Sequence, residues 1–205
     1  MVVGFSSSSS PESRTRVFIL RASLAITLIA APFAATAEVE LGEDGLHKPT
    51  WLRDTFLDMR EDLEEANALG LRLAIIIEQR GCIYCTKMHN EVFPVPEIDA
   101  LIRDNYYFVQ INMFGDLEVA DFDGEVMSER DIVKKWGAFF TPTIFFLPEE
   151  VPEGDSLSQA AVSVMPGAMS KGMTMDMFNW VLLRGYDTDE HFQKYHARML
   201  AERRN

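Results

Sequence analysis

Leu52, Phe56, Met59, Leu63 and Ala66 recur at helical spacing and place one apolar stripe on a helix from about Trp51 to Ala68. Thr50 is its expected N-cap and Gly70 its C-terminal stop. The opposite face carries Asp54, Asp58, Glu61, Asp62 and Glu65 and reads as solvated. Leu71 to Glu78 is a short Ile-rich run bounded by Gly70 and Gly81, and its length and β-branching predict a buried strand. A helix is expected from Cys82 to about Val92, where Pro94 and Pro96 interrupt it, and Glu97 to Arg103 supplies another. Tyr106 to Met113 reads as a strand, and Ser128 to Trp136 as a helix with Ser128 at its N-cap and Gly137 as its stop. Thr143 to Leu147 is a second very apolar strand and Ala161 to Met165 a weaker third. Helices from Met173 to Leu183 and from Glu190 to Glu202 close the chain. Strands separated by helices predict an α/β layer structure.

The chain has 205 residues, 47% of them hydrophobic, which is the composition of a globular protein, with one domain expected. The first 37 residues carry Glu12, Arg14, Arg16 and Arg21, a net +2, so residues 38 to 205 hold −15 against −13 for the whole chain. A surface of that sign repels phosphate backbones and anionic headgroups, so neither nucleic acid nor a polybasic membrane contact is expected.

Arg14 to Arg21 flank an apolar run from about Ala22 to Ala35, and the triplet Ala35-Thr36-Ala37 follows. That is the plan of a secretory signal peptide cleaved after Ala37, too short and too broken by Pro32 for an ordinary spanning helix. An uncleaved anchor and a transit peptide are the competing readings. Residues 38–50 read as a flexible leader, polar and without periodicity.

Two cysteines are too few to staple a small fold, and the chain after residue 37 is long enough to bury its own core. Their spacing, Cys82-Ile83-Tyr84-Cys85, carries chemistry instead. A structural zinc site needs four ligands, and of His47, His89, His191 and His196 the last two lie five apart, off a common helical face. No metal or cofactor is therefore expected. A disulfide across four residues closes too short a loop to stabilise much. A redox pair remains. At the end of a strand and the start of a helix, Cys82 meets unsatisfied backbone N–H groups and the positive end of the helix dipole, which favour a thiolate. Cys85, one turn on, is the expected resolving thiol.

Gly81-Cys82-Ile83-Tyr84-Cys85 after a buried strand, then Trp136-Gly-Ala-Phe-Phe-Thr-Pro-Thr-Ile-Phe-Phe146, then Pro166-Gly-Ala-Met-Ser-Lys-Gly172 before an apolar helix, resemble a thioredoxin-fold protein over about Leu71 to Arg184. Glu78 to Cys82, Lys87-Met88-His89, Val109 to Asn112, Asp121 to Glu125 and Phe192 to Tyr195 are most similar to the exported SoxW-type thioredoxin-like proteins of bacterial sulfur oxidation. The resemblance implies a thioredoxin-like domain over 51–205: a central mixed sheet flanked by helices, with an added N-terminal helix and a C-terminal helix. It also implies a cis Thr141-Pro142 bond against the dithiol, with Thr141 and Pro142 contacting substrate. Tyr84 is a further contact candidate. Ile76 stands where cytoplasmic thioredoxins carry a buried acid, and Glu78, on the same strand face, is the nearby carboxylate. Glu78 either helps deprotonate Cys85 or is an exposed strand-end residue.

The implied activity is a thiol-disulfide oxidoreductase of the periplasm, acting on protein disulfides and recharged by a membrane electron carrier. Little room between Cys85 and Thr141 for a DsbA-like helical insertion, and too few residues from Glu38 to Gly70 for a dimerisation domain, favour a monomeric reductase over an oxidase or isomerase. His89, four after Cys85, either tunes the thiol or simply packs. Asp121 to Glu125 resembles a calcium loop, but Val119 and Arg130 would fall at ligand positions, leaving a solvated insertion as the preferred reading. Met165, Met169, Met173, Met175 and Met177 raise an alternative, a non-enzymatic copper(I)-binding or chaperone-like module.

Overall fold

The computed structural model describes residues 1–4 and 39–204, and the signal-peptide reading of residues 1–37 falls almost wholly outside them. Elements are numbered in chain order. The strand expected from the Ile-rich run is β2 (Arg72–Glu78), buried along its whole length. It is central because it pairs on both sides. β3 (Tyr106–Asn112) lies parallel to it with Ile75 opposite Val109, and β6 (Thr143–Phe146) antiparallel with Ile76 opposite Ile144. β7 (Ser163–Pro166) continues antiparallel from β6, and β1 (Leu52–Arg53) lies parallel to β3, giving a mixed sheet in the order β1-β3-β2-β6-β7.

Because side chains alternate across a strand, β2 feeds two cores. Leu73, Ile75 and Ile77 face Met59, Leu63 and Ala66 of α1 (Met59–Ala68) and Ile132 and Val133 of α4 (Glu129–Lys135). Ala74 and Ile76 face Met88 and Val92, Ile98 and Ile102 of α3 (Pro96–Asn105), and Phe178 and Val181 of α6 (Lys171–Leu182). Each fully buried Ile contributes roughly 1.5–3 kcal/mol, which is why β-branching outweighs helix propensity here. The C-terminal α7 (Phe192–Glu202) packs on α6 and sends Tyr195 into the second core.

Four expectations need correction. The first helix begins at Met59, capped by Asp58, whose carboxylate accepts the Arg60 and Glu61 N–H groups; Thr50 caps nothing. Ahead of it Leu52 leaves the stripe and packs, like its neighbour Trp51, against the opposite core, and Phe56 is exposed. The Cys82 helix is split into α2 (Ile83–Lys87) and a π-helical turn, Met88–Val92. Residues 39–50 are packed rather than loose: Leu46 and His47 are buried, and Leu41 bridges His47.

The fourth concerns the acidic insertion, a hairpin of β4 (Glu118–Ala120) and β5 (Val126–Ser128). It is only partly solvated. Glu129 is buried and accepts the Asn112 and Leu117 N–H groups, and burial pushes its carboxyl up despite them. Asp121 is buried too, and Asp121, Asp123 and Glu125 converge on Lys135 Nζ at 2.9, 2.6 and 2.9 Å. The cation these acids hold is a side chain of the next helix. The short α5 (Leu157–Ala160), stopped from fraying by a Ser156–Gln159 capping box, sits beside them.

Candidate redox site

Gly81, at φ +72°, makes the left-handed turn that ends β2 and starts α2, a conformation that costs a side chain about 1–2 kcal/mol. Cys82 thereby becomes the N-cap, and the Cys85 N–H donates to its Sγ at 3.0 Å. Cys82 and Cys85 are joined as a disulfide with Cα atoms 5.2 Å apart. Cys82 reaches the surface with 6% of its area, whereas Cys85 is sealed at 0%. The accessible sulfur is thus the first one.

Across the groove, the Thr141–Pro142 peptide bond is cis, the Thr141 hydroxyl donates to Cys82 Sγ at 3.3 Å, and its carbonyl oxygen lies 3.4 Å from the same sulfur. Pro142 is buried, and its carbonyl accepts the Gly167 N–H at 2.7 Å, tying this loop to the end of β7. Ile83, Tyr84, Phe139 and Phe140 are exposed around a shallow groove of about 330 Å³ that also includes Gln79, Gly81 and Thr141. Sequence reasoning named Tyr84 and Thr141 here and passed over the exposed Phe139-Phe140 pair, although two adjacent aromatics before Thr141-Pro142 were a readable signal.

Glu78 is not an exposed strand-end residue. It is fully buried, its Oε1 paired with His89 Nε2 at 2.9 Å and its Oε2 accepting from Gln110 Nε2 at 2.6 Å. His89 lies on the same helical face as Cys85 and is buried, stacked on His47 at 4.4 Å between ring centres and edge-on to Phe93. Gln110 also donates to the His47 carbonyl and accepts from Lys48. Lys87 is exposed on the other face. Four of the five clustered methionines serve the interior: Met165 and Met177 are core residues, Met177 Sδ accepts from Ser163, and Met169 and Met175 pack against that core.

Among solved structures, the fold is similar to a thioredoxin-fold protein from Helicobacter pylori, at 16% identity and TM-score 0.47, covering 64% of this chain and 81% of that one. It is also similar to a thioredoxin from Thermus thermophilus, at 16% identity and TM-score 0.48, covering 62% of this chain and 86% of that one. The oxidised DsbD C-terminal domain of Neisseria meningitidis matches at 13% identity and TM-score 0.41, covering 58% of this chain and 89% of that one. No curated protein matches the sequence. The family model described as a thioredoxin-like domain matches residues 59–171, more than half of the chain, and the chain belongs to that family.

Proposed function

We propose that the chain is an extracytoplasmic thiol-disulfide oxidoreductase that reduces protein disulfides. The observation that carries this reading is the Cys82–Cys85 disulfide at a helix N-cap, with Cys82 beside Thr141 and an apolar rim and Cys85 sealed beneath it. In the reduced protein the Cys82 thiolate attacks one sulfur of a substrate disulfide and releases the other as a thiolate. Cys85, deprotonated, then attacks Cys82 Sγ, releases the second substrate sulfur and closes the Cys82–Cys85 disulfide. Two electrons pass from the dithiol to the substrate, and the two cysteine protons end on the substrate thiols. A membrane carrier of the thiol-transfer type returns two electrons and two protons.

Thr141 and Pro142, with Tyr84, form the surface on which an extended substrate segment lies beside the disulfide. A monomer suffices, since one chain supplies both sulfurs and this surface. The periplasmic location rests on residues 1–37 of the sequence, and the SoxW-type resemblance points to targets in sulfur oxidation or cytochrome maturation. No helix among the described residues is long and apolar enough to cross a membrane.

Equilibration of the pair against glutathione or dithiothreitol buffers tests the direction of electron flow. A reductase gives a potential near about −270 mV, whereas a value near about −120 mV would make the protein a disulfide donor. Within the same reading Glu78 takes the proton of Cys85 during resolution. Its support is burial on the strand face that continues Ala74 and Ile76, against which the turn after α2 packs. Glu78→Gln is expected to slow resolution at least about 10²-fold, the lower end of the range for losing a general base, and to change its pH profile. An unchanged profile would take Glu78 out of the proton path.

A further inference from the structure

We propose that His47, Glu78 and His89 form a binding site for a divalent transition-metal ion of the zinc class, distinct from the dithiol and sharing with the redox reading only Glu78. One ligand atom from each of the three lies within 4.8 Å of the others, and all three residues are buried. They come from separate segments: the packed strap before β1, the end of β2, and the π-helical turn after α2. Such turns gather at functional sites because the extra residue re-aims a side chain.

The chemistry of the set selects the ion. Two imidazoles and one carboxylate suit zinc and its first-row neighbours, whereas magnesium and calcium require oxygen ligands. The His89 Nε2 to Glu78 Oε1 distance of 2.9 Å is near the edge of a coordination shell with bonds of about 2.0–2.1 Å. The His47 and His89 rings stack at 4.4 Å between centres, so ligation of one ion by both requires the His47 ring to turn out of that stack while its backbone stays held by Gln110. His89 Nδ1 is buried with no hydrogen-bond partner among the described residues, so the imidazole is held on its Nε2 side alone. Turning the ring over about its terminal side-chain bond offers Nδ1 to the ion.

The surroundings are those of a ligand shell. Gln110 holds Glu78 Oε2 and the His47 carbonyl through one amide nitrogen, so a single side chain orients two of the three ligands. Trp51 and Phe93 flank His89, the first stacked and the second edge-on. His89 also borders a cleft of about 480 Å³ lined by Lys48, Pro49, Thr50 and Trp51, which gives an ion a path inward. A bound ion ties the strap, through His47, to the end of β2 and to the π-helical turn.

The test uses the untagged chain with its disulfide intact, so that thiolates cannot bind metal. Cobalt(II) alone is expected to bind at one equivalent with visible d–d absorption, to shift imidazole N–H resonances of two histidines, and to be displaced by zinc. His47→Gln, Glu78→Gln and His89→Gln each weaken cobalt binding at least about ten-fold, the loss that follows even from removing a hydrogen-bond partner of a ligand. Near-ultraviolet dichroism checks that each variant is folded, and the resonance shifts in the unaltered chain stand without any variant. Absence of micromolar cobalt binding, binding untouched in all three variants, or binding that appears only after reduction of the disulfide would each overturn the site. None of these results bears on the reduction potential, so the two readings fail separately.

Discussion

Cys85→Ser is expected to accumulate a mixed disulfide between Cys82 and substrate, while Cys82→Ser loses turnover by roughly 10³- to 10⁶-fold, the scale of removing a covalent nucleophile. The asymmetry follows from placement. Cys82 is the sulfur that meets the surface and stands beside Thr141, and the Cys85 N–H points at it across the first turn. An N–H donor and the helix start favour the thiolate over the thiol, and a thiol near pKa about 8.5 is otherwise only a few per cent ionised at neutral pH. Cys85 is fully buried, so it meets a substrate only after Cys82 has brought a sulfur to it. Insulin turbidity with dithiothreitol measures the loss, and intact-mass analysis under non-reducing conditions reads the trapped species. If Cys85→Ser trapped the substrate on a residue other than Cys82, or Cys82→Ser retained turnover, the assigned order of attack would be wrong.

Asp121→Ala is expected to destabilise the fold by about 3–5 kcal/mol, the range for breaking a buried charge pair. One carboxylate serves four donors: the Trp136 indole N–H at 2.9 Å, the Phe122 and Leu157 N–H groups at 2.8 Å each, and Lys135 Nζ at 2.9 Å. Those donors belong to the hairpin, α4 and α5, so the loss is felt by three elements at once. Burial acts against the charge of Lys135, but hydrogen bonds to Asp123, Glu125 and Asp121 outweigh it and raise its pKa. With roughly 2–4 °C per kcal/mol for a domain of this size, the melting temperature falls by about 10 °C. Asp123→Ala, which removes a partner nearer the surface, costs no more than about 1 kcal/mol. Thermal and urea unfolding compare the two; equal, small effects would mean that Asp121 is not the junction of the network.

The central strands were legible because their signal is local. Arg72–Glu78 and Thr143–Phe146 are runs of β-branched and aromatic residues bounded by turns, and burial on both faces rewards that composition wherever the strand ends up. The first helix was misread over residues 51 to 58 because Leu52 and Phe56 happen to continue its spacing. Asp58 then supplied the better cap, and Trp51 found a core on the other side of the sheet. The hairpin of three-residue strands had too few positions to show a period. Its acids read as solvated since Lys135, which they share, lies in the following helix.

By itself the sequence determined the α/β alternation, the redox spacing of Cys82 and Cys85, and the Thr141-Pro142 loop, all of which depend on residues within a few positions of one another. Only the tertiary structure decided which sulfur is open, that Phe139 and Phe140 flank it, and that Glu78 is buried against His89 and Gln110. His47, Glu78, His89 and Gln110 span more than sixty positions of chain, and no periodicity reports such a meeting. Packing of the strap and of the π-helical turn onto the end of one strand brings them together, because the aromatic side chains beside them have to be buried.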